Sequence, residues 1–153
     1  MQLAQRLALA LPAALLAGAY ISQYGFGLYP CEMCWWQRWP HFAALAFALL
    51  SFFAPNKKLL VALAAGGILT SGAIGFFHAG VEYDLWEGIT SCAAAPIPGD
   101  GQSALDAIMN APLVRCDEAP WTLFGISLAG FNFLLSTLGG LTILRLLAKD
   151  KAA

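Results

Sequence analysis

Four apolar stretches, separated by shorter polar segments, dominate the pattern of the 153-residue chain. They cover residues 7–29, 35–54, 59–77 and 121–144. Each is close to the length of about 20 residues that an α-helix needs to cross the hydrocarbon core of a bilayer. The pattern therefore predicts an all-α membrane protein, a four-transmembrane-helix bundle that forms one domain over residues 1–153.

Two predicted loops lie on the same side of this bundle and differ in length. The first covers residues 30–34 and the second residues 78–120. Within the second, Ser103 to Asp106 resembles a helix start, and Pro112 is a typical stop signal. We expect a short amphipathic helix there, which rests on the membrane surface or covers the bundle.

Small side chains recur at every fourth position in two of the stretches. Such spacing places them on one helical face, where two backbones can approach closely in lipid. The alternative is that alanine and glycine are simply frequent in membrane helices. The first set is Ala10, Ala14, Gly18 and Ser22, and the second is Gly67, Ser71 and Gly75.

The distribution of basic residues predicts the orientation of the helices. Cations are concentrated at both termini and in the loop between the second and third stretches, which places these segments on the cytoplasmic side. Arg38 and Arg115 remain for the opposite side, together with all four cysteines. The cytoplasmic set is Arg6, Lys57, Lys58, Arg145, Lys149 and Lys151. Charged residues make up 11% of the chain and its formal net charge is −1, which gives no reason to expect a nucleic-acid partner.

The first stretch has an alternative interpretation as a signal peptide. Residues 7–19 resemble its apolar core, and Ala17-Gly18-Ala19 resembles a cleavage site. The apolar run continues to Tyr29 without a polar segment, so we expect the helix to be retained.

The four cysteines face the oxidising exterior, where disulfides persist, and they allow three pairings. Cys92 and Cys116 have 23 residues between them, and a bridge there would be a typical structural disulfide. Cys31 and Cys34 are separated by two residues, so a bridge between them restrains little of the chain. Their spacing is better explained by redox chemistry.

The residues around Cys34 favour a reactive thiolate. Pro30 suits the start of a helix, whose N-terminal dipole stabilises an anionic sulfur. Arg38 lies four residues after Cys34, on the same face of a helix, where its cation stabilises an anion. Pro40 disfavours a helix at Trp39, and the alternative is that Arg38 lies on a separate turn before the second helix. The alternative role for Arg38 is an interfacial anchor.

Other types of cofactor site fit these residues less well. The sequence C-x-x-C is followed by Trp35, which excludes a c-type haem motif. Cys92 and Cys116 lie too far apart for a typical zinc pattern, although His78 can join them in space, and no metal is expected. Trp35, Trp36 and Trp39 form an aromatic belt, or walls for a flat ligand.

Two exterior dithiols suggest an electron relay by thiol-disulfide exchange, which needs a final acceptor. No Gly-rich dinucleotide motif is present. A quinone dissolved in the membrane is therefore the expected acceptor.

Three features together resemble the bacterial disulfide bond formation protein B family, DsbB. They are P-C-x-x-C with Arg38 four residues later, the long second loop with two widely spaced cysteines, and C-D-E-A-P-W-T-L-F-G at residues 116–125. The resemblance covers essentially the whole chain. It implies a quinone-dependent thiol oxidase of the bacterial inner membrane, with its cysteines in the periplasm.

The resemblance also implies roles for individual residues. Cys92 forms the mixed disulfide with a DsbA-like thioredoxin-fold partner, and Cys116 then attacks Cys31. Cys34 is released as a thiolate and donates electrons to ubiquinone or menaquinone. Arg38 holds the anion and the quinone.

His78 corresponds to a histidine near the start of this loop in relatives, and it can hydrogen-bond a quinone carbonyl. The alternative is an ordinary histidine at a helix end. Two other protein classes remain open. One is a vitamin K epoxide reductase-like enzyme, in which C-x-x-C belongs to a later helix. The other is a tetraspan scaffold with structural disulfides only.

Overall fold

The computed structural model describes residues 1–90, 93–94 and 113–150. Within these residues the chain forms four helices: α1 (Gln2–Gly25), α2 (Glu32–Leu50), α3 (Lys57–Glu82) and α4 (Leu128–Lys149). Helices α1, α3 and α4 are long and apolar enough to cross a membrane by length and composition. The prediction of an all-helical protein with several candidate spans is confirmed.

Two short antiparallel strand pairs accompany the helices. β1 (Ala93–Ala94) pairs with β2 (Leu113–Val114), and β3 (Thr122–Leu123) pairs with β4 (Ile126–Ser127). The predicted amphipathic helix after Ser103 and the predicted partner cysteine Cys92 lie outside the described residues.

Helix α4 begins at Leu128, whereas the apolar pattern predicts a start at 121. The intervening residues form the β3–β4 hairpin, whose turn places Phe124 at φ 52° and Gly125 at φ 77°. Ser127 then caps the helix, because its side chain accepts a hydrogen bond from the backbone N–H of Gly130. The hairpin residues are apolar enough to extend the sequence pattern, although they are not helical.

Helix α2 is continuous through Pro40, so Arg38 lies on the same helix as Cys34 and not on a separate turn. It begins directly after Cys31, and residues 32–34 of the predicted first loop are helical. Proline is tolerated inside membrane helices where neighbouring helices pack closely around it. Gly67 of α3 provides this close approach, because an added Cβ would lie 2.9 Å from the Pro40 carbonyl oxygen.

The remaining helix bounds also differ from the apolar stretches. α1 covers Gln2–Gly25, which is shifted toward the N-terminus from the predicted 7–29. α3 continues to Glu82, so the first residues of the predicted second loop, including His78, are helical. Hydropathy marks the apolar part of a helix and misses polar turns that continue it.

Helix α3 packs against both α2 and α4, and its small side chains form the contact surface. Ser71 is fully buried, and Gly75 lies against Ala129 and Asn132 of α4 and Gln37 of α2. The predicted small-residue face of α3 is therefore confirmed. In α1 the corresponding prediction is wrong, because Ala10, Ala14 and Gly18 are exposed. The buried face of α1 is Ala4, Gln5, Ala8, Pro12 and Leu16.

We expect Gly75→Ala to destabilise the bundle. The added Cβ would lie 3.0 Å from both the Ala129 carbonyl oxygen and Asn132 Nδ2, and 3.1 Å from Gln37 Oε1. Overpacking of this kind costs roughly 1–3 kcal/mol of unfolding free energy. The measurement is thermal unfolding of the purified protein in detergent.

Gly66→Ala is the matched control, because it lies on the same helix and an added Cβ there meets nothing within 4 Å. Its melting temperature should equal or exceed that of the parent, since alanine is the better helix former. Equal melting temperatures for the two variants would contradict the packing assigned to Gly75.

Candidate functional site

Three cysteine sulfurs lie together where α2 begins. Cys31 is the N-cap of α2, and its Sγ accepts a hydrogen bond from the backbone N–H of Cys34 at 3.3 Å. The same sulfur donates a hydrogen bond to Cys34 Sγ at 3.0 Å. On its other side, Cys116 Sγ and a His78 ring nitrogen lie within 4.8 Å of Cys31 Sγ and of each other. Cys31 is thus within reach of two alternative sulfur partners.

The three cysteines differ in how strongly their surroundings favour the thiolate form. Hydrogen bonding to Cys116 favours the Cys31 thiolate, but the bond to Cys34 and burial outweigh it and raise the pKa of Cys31 to about 12. The hydrogen bond with Cys31, together with burial, raises the pKa of the Cys116 thiol above its usual range. Cys34 instead receives the Cys31 hydrogen bond in the first turn of α2, which favours a thiolate at Cys34.

His78 extends from α3 toward this cluster and is almost completely buried. Its Nε2 lies 3.6 Å from Cys31 Sγ and 3.7 Å from Oε1 of Glu82, which is also buried. The Glu82 carboxylate accepts a hydrogen bond from the Ser127 hydroxyl, which ties α3 to the start of α4. The histidine therefore lies between the cysteine sulfurs and a buried acidic group.

A side-chain amide determines which nitrogen of His78 carries the proton. Gln37 Nε2 donates to the Met33 carbonyl oxygen at 3.2 Å and lies 2.8 Å from His78 Nδ1. A carbonyl oxygen only accepts, so the amide nitrogen must face Met33, and His78 Nδ1 must be an acceptor. In the neutral ring the proton is then on Nε2, which points toward Cys31.

This tautomer bears on metal binding. Cys31, His78 and Cys116 have the mutual spacing of metal ligands. A metal would need a bare lone pair on the ring nitrogen that faces the sulfurs, and Nε2 carries a proton there. A protonated nitrogen matches a thiolate sulfur as its acceptor. We therefore interpret the cluster as a thiol-disulfide exchange centre.

Two cavities meet at Cys34. The first has a volume of about 410 Å³ and is lined by Cys31, Cys34, His78, Glu82 and Arg115, among others. The second, of about 230 Å³, is lined mainly by apolar residues of α1 and α4, together with Cys34, Arg38 and His41. Cys34 therefore borders both a polar cavity that Cys31 and His78 also line and an apolar cavity that they do not line.

The structure places Arg38 in the apolar cavity and His78 in the polar one. Arg38 is 6% exposed, and its guanidinium lies 4.9 Å from the ring centres of both Tyr20 and Trp35. It donates hydrogen bonds to Gln23 Oε1 at 2.6 Å and to the Ala19 carbonyl at 3.3 Å. These contacts to α1 differ from those of an anchor at the lipid headgroups, because the cation is held inside the protein.

Sequence reasoning missed four polar residues that hold this site: Gln37, His41, Glu82 and Asn132. Asn132 of α4 donates from Nδ2 to Gln37 Oε1 at 2.8 Å, and its Oδ1 lies 3.0 Å from His41 Nε2. Gln37, His41 and Asn132 lie inside stretches that the sequence pattern predicts to cross the membrane, where a polar side chain is costly and is commonly functional. A polar residue inside an apolar stretch is therefore the sequence feature that could have pointed to them.

The different surroundings of Cys31 and Cys34 predict an order of alkylation. In reduced, folded protein with Cys92→Ser, iodoacetamide at pH 8 should modify Cys34 before Cys31. Cys31 is 3% exposed, and with a pKa of about 12 its thiolate becomes abundant only as the pH rises toward that value.

Fragmentation of the peptide that contains both residues measures the order. The control is unfolded protein in denaturant, where both thiols should react at similar rates. Faster modification of Cys31 in the folded protein would contradict the arrangement.

Comparison with known proteins identifies the family. The model of the family described as "Disulfide bond formation protein DsbB" matches residues 2–146. A protein named "Disulfide bond formation protein B" from Polaromonas naphthalenivorans (strain CJ2) is 30% identical over 149 residues, covering 89% of this chain and 84% of that protein. A protein of the same name from Verminephrobacter eiseniae (strain EF01-2) is 31% identical over 157 residues, covering 94% and 83%.

An uncharacterised protein from Rickettsia prowazekii (strain Madrid E), RP370, is 25% identical over 126 residues, covering 79% of this chain and 73% of that protein. No solved structure matches the chain significantly. The family match extends over nearly the whole chain and includes the cysteine cluster, Arg38, the first three helices and most of α4. The chain therefore belongs to the DsbB family of disulfide bond formation proteins.

Proposed function

We propose that the protein is a quinone-dependent thiol oxidase that reoxidises a DsbA-like thioredoxin-fold partner in the periplasm. Membership of the DsbB family implies a role in disulfide bond formation. The observation that carries the finer proposal is the position of Cys34. It borders both the polar cavity that Cys31 and His78 line and the apolar cavity that Arg38 lines.

The proposed reaction transfers two electrons through two disulfides. A partner thiolate attacks Cys92 of a Cys92–Cys116 disulfide, which forms a mixed disulfide and releases Cys116. Cys116 then attacks Cys31 of the Cys31–Cys34 disulfide, which releases Cys34 as a thiolate. The contacts of Cys31 with both Cys34 and Cys116 support this exchange.

The second partner thiol then displaces Cys92, which completes the partner disulfide, and Cys92 attacks Cys116, which releases Cys31. Cys31 and Cys34 re-form their disulfide and give up two electrons and two protons. A quinone, ubiquinone or menaquinone, would supply the two-electron acceptor and would leave as a quinol. The apolar cavity fits such a carrier, because aliphatic and aromatic side chains form most of its lining, together with a few polar groups. Cys34 borders this cavity and would donate the electrons.

Arg38 stabilises negative charge in this cavity. Its cation is fixed between two aromatic rings, so it does not need to reorganise when Cys34 becomes anionic. His78 acts on the other side, where its Nε2 proton faces Cys31 Sγ. We assign it to the sulfur exchange rather than to direct contact with the quinone, since it lines the polar cavity.

We further propose that all four helices cross the bacterial inner membrane, with both termini cytoplasmic and the cysteines periplasmic. The cations at the ends of the chain and near Lys57 support this orientation. α2 carries Gln37, Arg38 and His41, and all three are buried in the protein rather than directed to lipid.

Cys34→Ser should abolish catalytic turnover, because no thiolate then borders the apolar cavity. The assay is the anaerobic oxidation of a reduced thioredoxin-fold partner by the purified protein, with and without a short-chain ubiquinone. Wild-type protein should oxidise the partner repeatedly only when quinone is present. Cys34→Ser should oxidise at most a stoichiometric amount of partner and then stop.

Glu32→Gln is the control, because Glu32 is exposed in the same turn and takes no part in the proposed chemistry. It should keep full turnover. Sustained quinone reduction by Cys34→Ser would refute the role of Cys34.

Arg38→Ala should weaken quinone use while it preserves the dithiol exchange with the partner. The loss of a charge-assisted contact is worth about 1.5–3 kcal/mol, so we expect the KM for quinone to rise about tenfold to a hundredfold. Rapid-mixing experiments measure the exchange step separately. Arg38→Lys keeps the charge but loses the planar stacking on the aromatic rings. Its KM for quinone should therefore lie between those of the wild type and of Arg38→Ala. An equal fall in both steps would show that Arg38 is structural.

A further inference from the structure

Glu82 is the last residue of α3 and lines the polar cavity together with Cys31 and Cys34. Only 3% of its side chain is exposed. The reaction proposed above gives this carboxylate no step. It nevertheless lies next to sulfurs that become anionic, and like charges repel strongly where little water screens them. A charge in this position influences how easily the sulfurs are reduced.

Both carboxylate oxygens of Glu82 lie next to hydrogen-bond donors. Oε2 accepts a hydrogen bond from the Ser127 hydroxyl, whose own oxygen accepts from the backbone N–H of Gly130 at 3.1 Å. Oε1 lies 3.7 Å from His78 Nε2, which carries the ring proton. Burial opposes a charge on Glu82, and the two donors stabilise it. The carboxylate anion is therefore the form that matches both neighbours.

His78 does not neutralise this charge. Its Nδ1 lies 2.8 Å from Gln37 Nε2, and that amide nitrogen is a donor held by the Met33 carbonyl. A second proton on the ring would place two donors against each other at this contact. His78 therefore stays neutral, while its Nε2 lies 3.6 Å from Cys31 Sγ and 3.7 Å from Glu82 Oε1. The carboxylate and the sulfur are neighbours of the same uncharged ring nitrogen.

Among the described residues that line the polar cavity, Glu82 is the acid with a buried side chain. Cys31, Cys34 and His78 line the cavity with it, and Cys116 lies beside Cys31 and His78. Three further titratable groups of the cavity are exposed, so solvent screens their charges. They are Tyr29, Arg115 and Glu118.

We propose that Glu82 lowers the reduction potential of the Cys31–Cys34 pair and so makes the reduced pair a stronger electron donor. The disulfide is uncharged, whereas its reduction by two electrons and one proton leaves a Cys31 thiol and a Cys34 thiolate. The negative charge of Glu82 raises the free energy of the reduced pair and leaves that of the disulfide unchanged. Glu82 is thus a positioning residue that acts through the sulfurs and needs no contact with the acceptor.

This effect directs electrons forward in the proposed reaction. A Cys34 thiolate that is disfavoured by a neighbouring charge gives up its electrons more readily to an acceptor in the apolar cavity. The inference rests on the proposed exchange through Cys31 and Cys34, and it adds the residue that sets the potential of this pair.

Equilibration with glutathione measures this potential without any quinone. The full-length protein in detergent carries Cys92→Ser and Cys116→Ser, so that Cys31 and Cys34 are its two remaining cysteines. Two glutathione thiols reduce their disulfide and become glutathione disulfide. Alkylation and mass spectrometry measure the reduced fraction at pH 8 over a series of glutathione ratios.

Glu82→Gln should favour the reduced pair about tenfold, which corresponds to a rise of about 30 mV for a two-electron couple. Glu82→Asp keeps the charge and should stay within about twofold of the parent. Glu118→Gln is the matched control, because this acid lines the same cavity but is exposed, and it should leave the potential unchanged. The shift in Glu82→Gln should shrink as the pH falls from 8 to 5, because protonation removes the charge of Glu82 in the parent.

An unchanged or lower potential in Glu82→Gln would overturn the proposal. An equal shift in Glu118→Gln would also overturn it, because any charge in the cavity would then have the same effect. Thermal unfolding checks each variant, and Glu82→Ala, with the same expected shift, replaces Glu82→Gln if that variant does not fold. Failure of the proposed quinone function is a separate result, because it would appear as a lack of quinone reduction by the wild-type protein, whatever the glutathione equilibrium gives.

Discussion

Two backbone carbonyls, those of Met33 and Ser71, determine the chemistry of the whole site. Each can only accept a hydrogen bond, so each forces a side-chain amide into one orientation: Gln37 at Met33 and Asn132 at Ser71. The two amides are bonded to each other at 2.8 Å and link α2 to α4 across the glycine of α3 at position 75. The amide orientations in turn fix the tautomers of both histidines, because His78 Nδ1 must accept from Gln37 and His41 Nε2 must donate to Asn132.

The site therefore has two sides that offer different hydrogen-bonding groups. On the polar side, the protonated Nε2 of His78 faces Cys31. On the apolar side, Arg38 presents only donors, and Asn132 holds His41. Cys34 borders both sides, as the proposed reaction requires of a sulfur that takes part in disulfide exchange and also faces a lipid-soluble acceptor. A site of this kind needs a rigid frame, and the buried contacts of α3 with α2 and α4 provide it.

The sequence predicted the apolar helices and the small-residue face of α3, because each depends on local spacing. It did not predict the β3–β4 hairpin, since Trp121 and Phe124 extend the apolar pattern without forming helix. It also did not predict the amide network, because Gln37 and Asn132 are 95 positions apart in the chain and meet only after three helices have packed. Pro40 suggests a break in the helix near Arg38, but α2 is continuous there, because the tertiary contact at Gly67 outweighs the local preference of proline.

Arg38 shows why the apolar cavity suits a charge that develops during the reaction. Aromatic faces and two neutral oxygens surround its guanidinium, and within the described part of the chain no carboxylate forms an ion pair with it. A permanent carboxylate would neutralise the cation and remove its attraction for other anions. Neutral partners instead satisfy its hydrogen bonds and leave its positive charge uncompensated. The uncompensated charge of Arg38 can therefore stabilise a negative charge on Cys34 or on the carrier beside it. Such a charge develops during the proposed electron transfer.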